Sequence, residues 1–349
     1  MLLTGATAHP SLFYVTNLNQ GLTCEDVESS SKLLHDLACV GPVFLDVLFT
    51  PFAHLPDLGE ECHTDSVALA VGGAANVARA AAALGMGVTL ATEFGEGDIT
   101  RLVRPMLEAD GVGLGASVTR AGWDVPCTAA IPHEGDRMFY TGGLPSAPLA
   151  ATEQVLAEQA RHLTVSLERE DMPLLAGERA RDTRIWADVG HDDSGAWDPM
   201  ILRHLEHCHA FCPNDEEATR YTRTDSALDA ARVLAEKVEL VVVSRGREGL
   251  VAIDSGRGEV LERRGFIVEH ANATGAGDTL VAALVTAFAA GRGLGDALDF
   301  AQLVAAARVA GAAAHGMPPG REALSAFASR YGKRETELVE ETLDALASR

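Results

Sequence analysis

Apolar runs recur along this chain with two alternating periods. Cys39–Leu48 (CVGPVFLDVL), Val88–Phe94, His162–Leu167, Arg184–Val189 and Leu240–Ser244 are short and read as strands. The first of these is apolar almost throughout, as a strand buried on both faces of a parallel sheet should be. Ile99–Asp110, Trp197–Glu206, the run after Asp278, Leu294–Ala314, Arg321–Ala328 and Glu335–Leu346 read as helices. In the last of them Leu338, Val339, Thr342, Leu343 and Leu346 fall on one stripe, which predicts packing on the body or on a partner. Val125–Ile131 and Arg137–Thr141 flank His133-Glu134-Gly135-Asp136, a hairpin signature. The alternation of strand and helix predicts an α/β fold. Residues 1–37 show no sustained periodicity and read as an N-terminal extension. Residues 38–325 then form one large domain, and residues 326–349 a C-terminal helix.

The chain has 349 residues, 47% of them hydrophobic, which suffices for one large core. A formal charge of -22, with only three lysines, argues against a nucleic-acid binder. The same acidity repels polyanions and favours a neutral small substrate. Met1–Cys24 lacks the basic start and apolar core of a secretory signal. Leu280–Ala290 is about half the ~20 residues that a membrane span needs. The six cysteines are scattered, which fits reduced thiols in a cytoplasm.

Several polar residues interrupt this pattern and are candidates for chemistry. Thr274-Gly275-Ala276-Gly277-Asp278 precedes an apolar helix. Two glycines flanking an alanine allow a ligand close to the backbone, and the N–H groups of Ala276, Gly277 and Asp278 form an anion site at the positive end of that helix. Asp278, in the first turn, is placed to accept a proton from an attacking hydroxyl. The alternative is a plain strand-to-helix turn with Asp278 as a helix-end acid. Asp46 is a carboxylate inside an apolar strand, satisfied either by backbone N–H groups or by a ligand hydroxyl.

Gly72-Gly73 would let backbone N–H groups reach a polyol, and Asn76 offers both a donor and an acceptor. Asn214 and Glu217 have the spacing of a helix N-cap and its capping-box partner. Arg245-Gly246-Arg247-Glu248-Gly249 ends a strand at Ser244 and reads as a turn. His204, His207, Cys208, His209 and Cys212 crowd one tract but lack paired metal-ligand spacing. Gly111-Val112-Gly113 through Ala116 mimics a dinucleotide fingerprint but follows a helix, which excludes it.

Two of these stretches carry a resemblance. Gly72 to Gly95 fits the first signature of the ribokinase-like (PfkB) sugar and nucleoside kinases, and Thr274–Asp278 resembles the second, usually D-T-x-G-A-G-D. Asn272 and Ala273 depart from that pattern, where Asp and Thr are usual. The resemblance spans roughly residues 38–325. It implies a central, mostly parallel sheet flanked by helices, with a small β lid from segments near 48–71 and 122–143.

It further implies ATP-dependent phosphorylation of a sugar hydroxyl, with Asp278 as base and the Gly275–Asp278 backbone as anion hole. Asp46, Gly72, Gly73 and Asn76 would hold the substrate, with Arg137 reaching it from the hairpin. Asn214 and Glu217 match an N-x-x-E motif that positions Mg²⁺ and phosphates through water. Ser244, Gly246 and Gly249 match a G-x-x-G loop over the nucleotide. Asn272 lacks the charge with which relatives support a monovalent cation, so potassium activation stays open, as does a homodimer. A nucleoside kinase, with Phe139 and Tyr140 stacking a base, and a non-catalytic sugar- or nucleotide-binding regulator are the alternatives.

Overall fold

The structure is a computed structural model. It describes residues 35–349 apart from 53, 134–135, 146–159, 168–171, 181, 191, 193, 269–273 and 314–316; the side chains of 133, 136, 137, 179 and 180 also lie outside the description. The chain enters at β1 (His35–Val40), passes Gly41 and Pro42, and continues as β2 (Val43–Phe49). Next come β3 (Val67–Gly73), which runs directly into α1 (Ala74–Ala83), β4 (Val88–Ala91), β5 (Glu93–Phe94) and α2 (Asp98–Ala109). A short β6 (Val118–Thr119) leads to the hairpin of β7 (Cys127–His133) and β8 (Asp136–Gly142).

The strand-helix alternation then resumes with β9 (Ala160–Ser166), α3 (Pro173–Ala180), β10 (Arg184–Asp188), a 3-10 helix over Pro199–His207, and β11 (Ala210–Phe211). After α4 (Asp215–Thr222) and α5 (Ala227–Leu234) come β12 (Leu240–Ser244), β13 (Leu250–Asp254) and β14 (Glu259–Arg263). Four helices close the chain: α6 (Ala276–Ala289), α7 (Leu294–Val309), α8 (Arg321–Ala328) and α9 (Lys333–Ala347).

The central sheet has the order β14-β13-β12-β11-β10-β9-β1-β4. Strands β4, β1, β9, β10, β11 and β12 pair parallel, and β13 and β14 continue the sheet antiparallel. Because side chains alternate across a strand, β12 feeds two cores at once. Leu240 and Val242 pack with α1, α6 and α7, while Val241 and Val243 pack with α3, α4 and α5. This double burial is why the parallel strands read as unbroken apolar runs. Full burial of one such side chain contributes about 1.5–3 kcal/mol. Val339, Leu343 and Leu346 of α9 join the first core, so the final stripe packs on the body.

A second sheet, β3-β2-β7-β8, stands apart from the first, with β2 parallel to β7 and the other pairs antiparallel. This corrects the reading of Cys39–Leu48 as one strand. The chain breaks at Gly41 and Pro42, and the two halves join different sheets. Val88–Phe94 divides likewise, since β5 leaves the central sheet to pair with β6. His35 to Leu37, assigned above to the extension, are strand residues of the central sheet. Trp197–Glu206 is a 3-10 helix rather than an α-helix, capped by Asp198 with a proline in its first turn. Among the described residues no helix is long and apolar enough to cross a membrane.

Candidate active site

The parallel strands end at one edge of the sheet, where open α/β sheets carry their ligand crevices. A cavity of about 730 Å³ lies there, lined by Val40, Ser166 and Asp188 from the ends of β1, β9 and β10, with Gly73, Asn76 and Asp278 on its far wall. Asp278 sits in the first turn of α6, whose N-cap Gly275 has φ 72°, the left-handed region that glycine tolerates. No side chain among the described residues caps this terminus, so the first-turn N–H groups are available to an anion.

Asn76 Nδ2 donates to Asp278 Oδ2 at 3.0 Å, joining the two signatures across 202 residues of sequence. Burial pushes the Asp278 carboxyl up to about 6, against the lowering effects of the Asn76 bond and of the Arg308 guanidinium. Asp46 is likewise pushed up to about 6 by burial. Arg79 opposes that rise, and the charge of Asp278 adds to it. The two carboxylates therefore act on each other electrostatically.

Asp46 belongs to β2, in register with Ala70 of β3 and Thr128 of β7. It shares a strand face with Phe44, which lines the cavity, but is not itself among the lining residues. Gly72 makes this position available, since a Cβ there would lie 2.2 Å from Asp46 Oδ2. Gly73 has φ 69°, and a Cβ on it would meet the Pro42 carbonyl oxygen at 2.3 Å. Both glycines are thus required by packing, whatever their N–H groups bind.

Asn214, Glu217, Ser244, Gly246 and Gly249 follow the carboxyl ends of β11 and β12 and lie outside this lining. Asn214 and Glu217 form a reciprocal capping box, with Asn214 N donating to Glu217 Oε2 and Glu217 N to Asn214 Oδ1, both at 2.9 Å. Asn214 also bridges to Ser244, which brings the ends of β11 and β12 together. Gly246 is exposed at φ 52° and opens a short 3-10 turn. Gly249, at φ 97°, is fixed by packing, because a Cβ on it would sit 1.9 Å from the Arg263 carbonyl oxygen. Arg137 lies in β8, with its side chain outside the description, and Asn272 and Ala273 lie outside the described residues altogether.

Sequence reasoning missed three residues here. Asp188 ends the apolar strand β10 at the cavity wall, and it carried the same signal as Asp46, a carboxylate closing an apolar run. Arg308 and Arg79 are buried cations on helices, each lowering the pKa of one candidate carboxylate. A lone arginine in an alanine-rich helix was the available cue. The crowded His204–Cys212 tract forms no metal-binding cluster among the described residues.

A family profile described as pfkB family carbohydrate kinase matches residues 34–318. The chain belongs to that family. Within it, the chain is 28% identical over 306 residues to the bifunctional protein HldE of Nitrobacter winogradskyi, covering 78% of this chain and 59% of that protein. It is 26% identical over 300 residues to the ribokinase of Bacillus subtilis, covering 82% of this chain and 97% of the relative. Among solved structures, Arabidopsis thaliana ribokinase complexed with ribose and ATP superposes with a TM-score of 0.71 at 19% identity, over 84% of this chain and 98% of that one. This likeness establishes the ribokinase-like fold, and the pfkB match places the chain in a family of carbohydrate kinases.

Proposed function

We propose that this chain transfers the γ-phosphoryl group of ATP to a hydroxyl of a small sugar or sugar derivative. The observation that carries the reading is Asp278. It is a carboxylate with its pKa pushed up to about 6, in the first turn of an uncapped helix, on the wall of a cavity, and oriented by Asn76. A base poised near neutral pH beside backbone donors suits deprotonation of an alcohol as phosphoryl transfer begins. Asp46, Gly72, Gly73, Asn76 and Arg137 would position the substrate. The Gly275–Asp278 backbone would neutralise charge on the transferring group, and Ser244, Gly246 and Gly249 would border the nucleotide. Catalysis would rest mainly on positioning and electrostatics.

The side-chain donors at this edge are carboxylate and amide oxygens, which is the set Mg²⁺ takes. Asn214 and Glu217 would hold the ion through water alongside their capping bonds. When bound, it would offset phosphate charge beside an otherwise acidic wall.

A nucleoside substrate is the second reading. It is favoured by Phe139 and Tyr140 of β8, which are 58% and 66% exposed on the second sheet. Coupled ADP release across ketoses, aldoses, sugar acids and nucleosides tests both readings, with Asp278→Asn as control. A substrate-dependent signal lost in the variant supports the kinase and names its substrate class. A signal retained at near wild-type rate removes Asp278 as base.

A further inference from the structure

The opposite edge of the central sheet holds a second cavity of about 710 Å³, lined by Ala160, Arg184, Ala210 and Leu240, the first residues of β9, β10, β11 and β12. It shares no lining residue with the candidate active site. Its floor is apolar and aromatic, with Trp186 and Phe288 ring centroids 5.2 Å apart.

In a chain of formal charge -22, this cavity gathers Arg161, Arg184, Arg257, Arg292 and Arg349 against only Asp182, Glu239 and Asp254. Arg257 faces Asp254 at 3.7 Å, and Arg292 Nη1 pairs with Glu341 at 3.1 Å. Among the described residues no ion pair engages Arg161, Arg184 or Arg349. Among the described residues Arg292 Nε is buried without a hydrogen-bond partner. The 16-residue α7 also begins here, with Gly293 as an N-cap that supplies no side-chain bond, and Gly293 and Leu294 line the cavity. His162 in the wall has its pKa pushed down to about 4, first by burial and then by Arg184. The Arg184 and Arg349 guanidinium forks, engaged in no ion pair among the described residues, and an open helix N-terminus line one space, and both favour an anion.

We propose that this amino-edge cavity binds a compact multivalent anion, a phosphorylated or polycarboxylated small molecule, held by Arg184 and Arg349 at the N-terminus of α7. Because the cations are already in the wall, binding needs no divalent metal.

Calorimetric titration of the full chain in EDTA, with inorganic pyrophosphate and separately with citrate, tests this. Saturable binding of one equivalent is expected. Pyrophosphate alone would identify a phosphate ligand, and citrate as well would extend the site to carboxylates. The Arg184→Ala/Arg349→Ala double variant should weaken binding at least about tenfold. Both side chains are exposed, so its thermal midpoint without ligand should stay at the wild-type value. The single Arg184→Ala variant should weaken binding in the same direction. Absence of saturable binding for both anions, or undiminished binding in the variants, would overturn the assignment.

Discussion

The two edges of the central sheet carry cavities of nearly equal size, about 730 and 710 Å³, with opposite chemistry. The carboxyl edge presents Asp188, Asp192, Asp198 and Asp278, and the amino edge presents five arginines. Size therefore says little about what either one binds. Strand direction and local charge say more. Parallel strands deliver their following loops and the α6 N-terminus to one edge, where phosphate could settle beside carboxylates only with a cation between them. At the other edge the protein supplies the cations itself. Helix α6 spans the distance, with Asp278 in its first turn and Phe288 and Ala289 at the second cavity, about 15–17 Å along its axis.

The sharpest way to break this comparison is Asp278→Asn. Turnover should fall at least ~10²-fold, while anion affinity at the amino edge stays within about twofold, as expected of distant sites. Loss at both edges would merge what the geometry separates. Asp46→Ala should act next most strongly, raising KM about 10–100-fold by removing a charged hydrogen-bonding partner, with a smaller change in kcat. An unchanged KM would take Asp46 out of substrate binding.

The pH profile comes third. Asp278 must be ionised to act as base, and its carboxyl is pushed up to about 6. The kcat/KM profile should therefore rise with pH, bend near 6 and level off above it, and Asp278→Asn should flatten that limb. A limb centred on the ordinary carboxylate range would contradict the buried setting.

The smallest effect concerns stability. A folded-state carboxyl pKa raised from 3.8 to about 6 disfavours the folded state once the group ionises. The cost is absent below the unfolded value, grows as pH rises through this window, and is constant above it. Asp278→Asn should thus gain up to ~2 kcal/mol at pH 7 by denaturant unfolding, a gain that fades toward pH 4. Equal stability of the two proteins at pH 7 would show that Asn76 and Arg308 offset the burial.

Asp278 was legible in the sequence because its setting is local, made by a glycine turn and the helix that follows. Asp46 was legible as a charge within an apolar run, but its sheet was not. The break at Gly41 and Pro42 leaves apolar residues on both sides, so no change of period marks it. Strand β14 went unread because Glu259–Arg263 is largely polar, as befits an exposed edge strand, whereas β13, Leu250–Asp254, is a short apolar run that did carry a strand signal. Arg79 and Arg308 escaped for another reason. A cation on an alanine-rich helix gains meaning only from the carboxylate that tertiary packing brings to it. The capping box at Asn214 and Glu217 was read correctly from spacing alone, since both of its bonds close within one helical turn.

The break between the sheets has a mechanical consequence. Only Gly41 and Pro42 separate β1 in the large sheet from β2 in the small one. The Pro42 carbonyl accepts the Ala74 N–H at 3.0 Å, pinning that joint to the start of α1, the helix that carries Asn76. The strand β2 is then a lever, with its fulcrum on the helix that steadies Asp278. A tilt of the small sheet over the cavity would swing Asp46 about the same anchor that holds the proposed base in line.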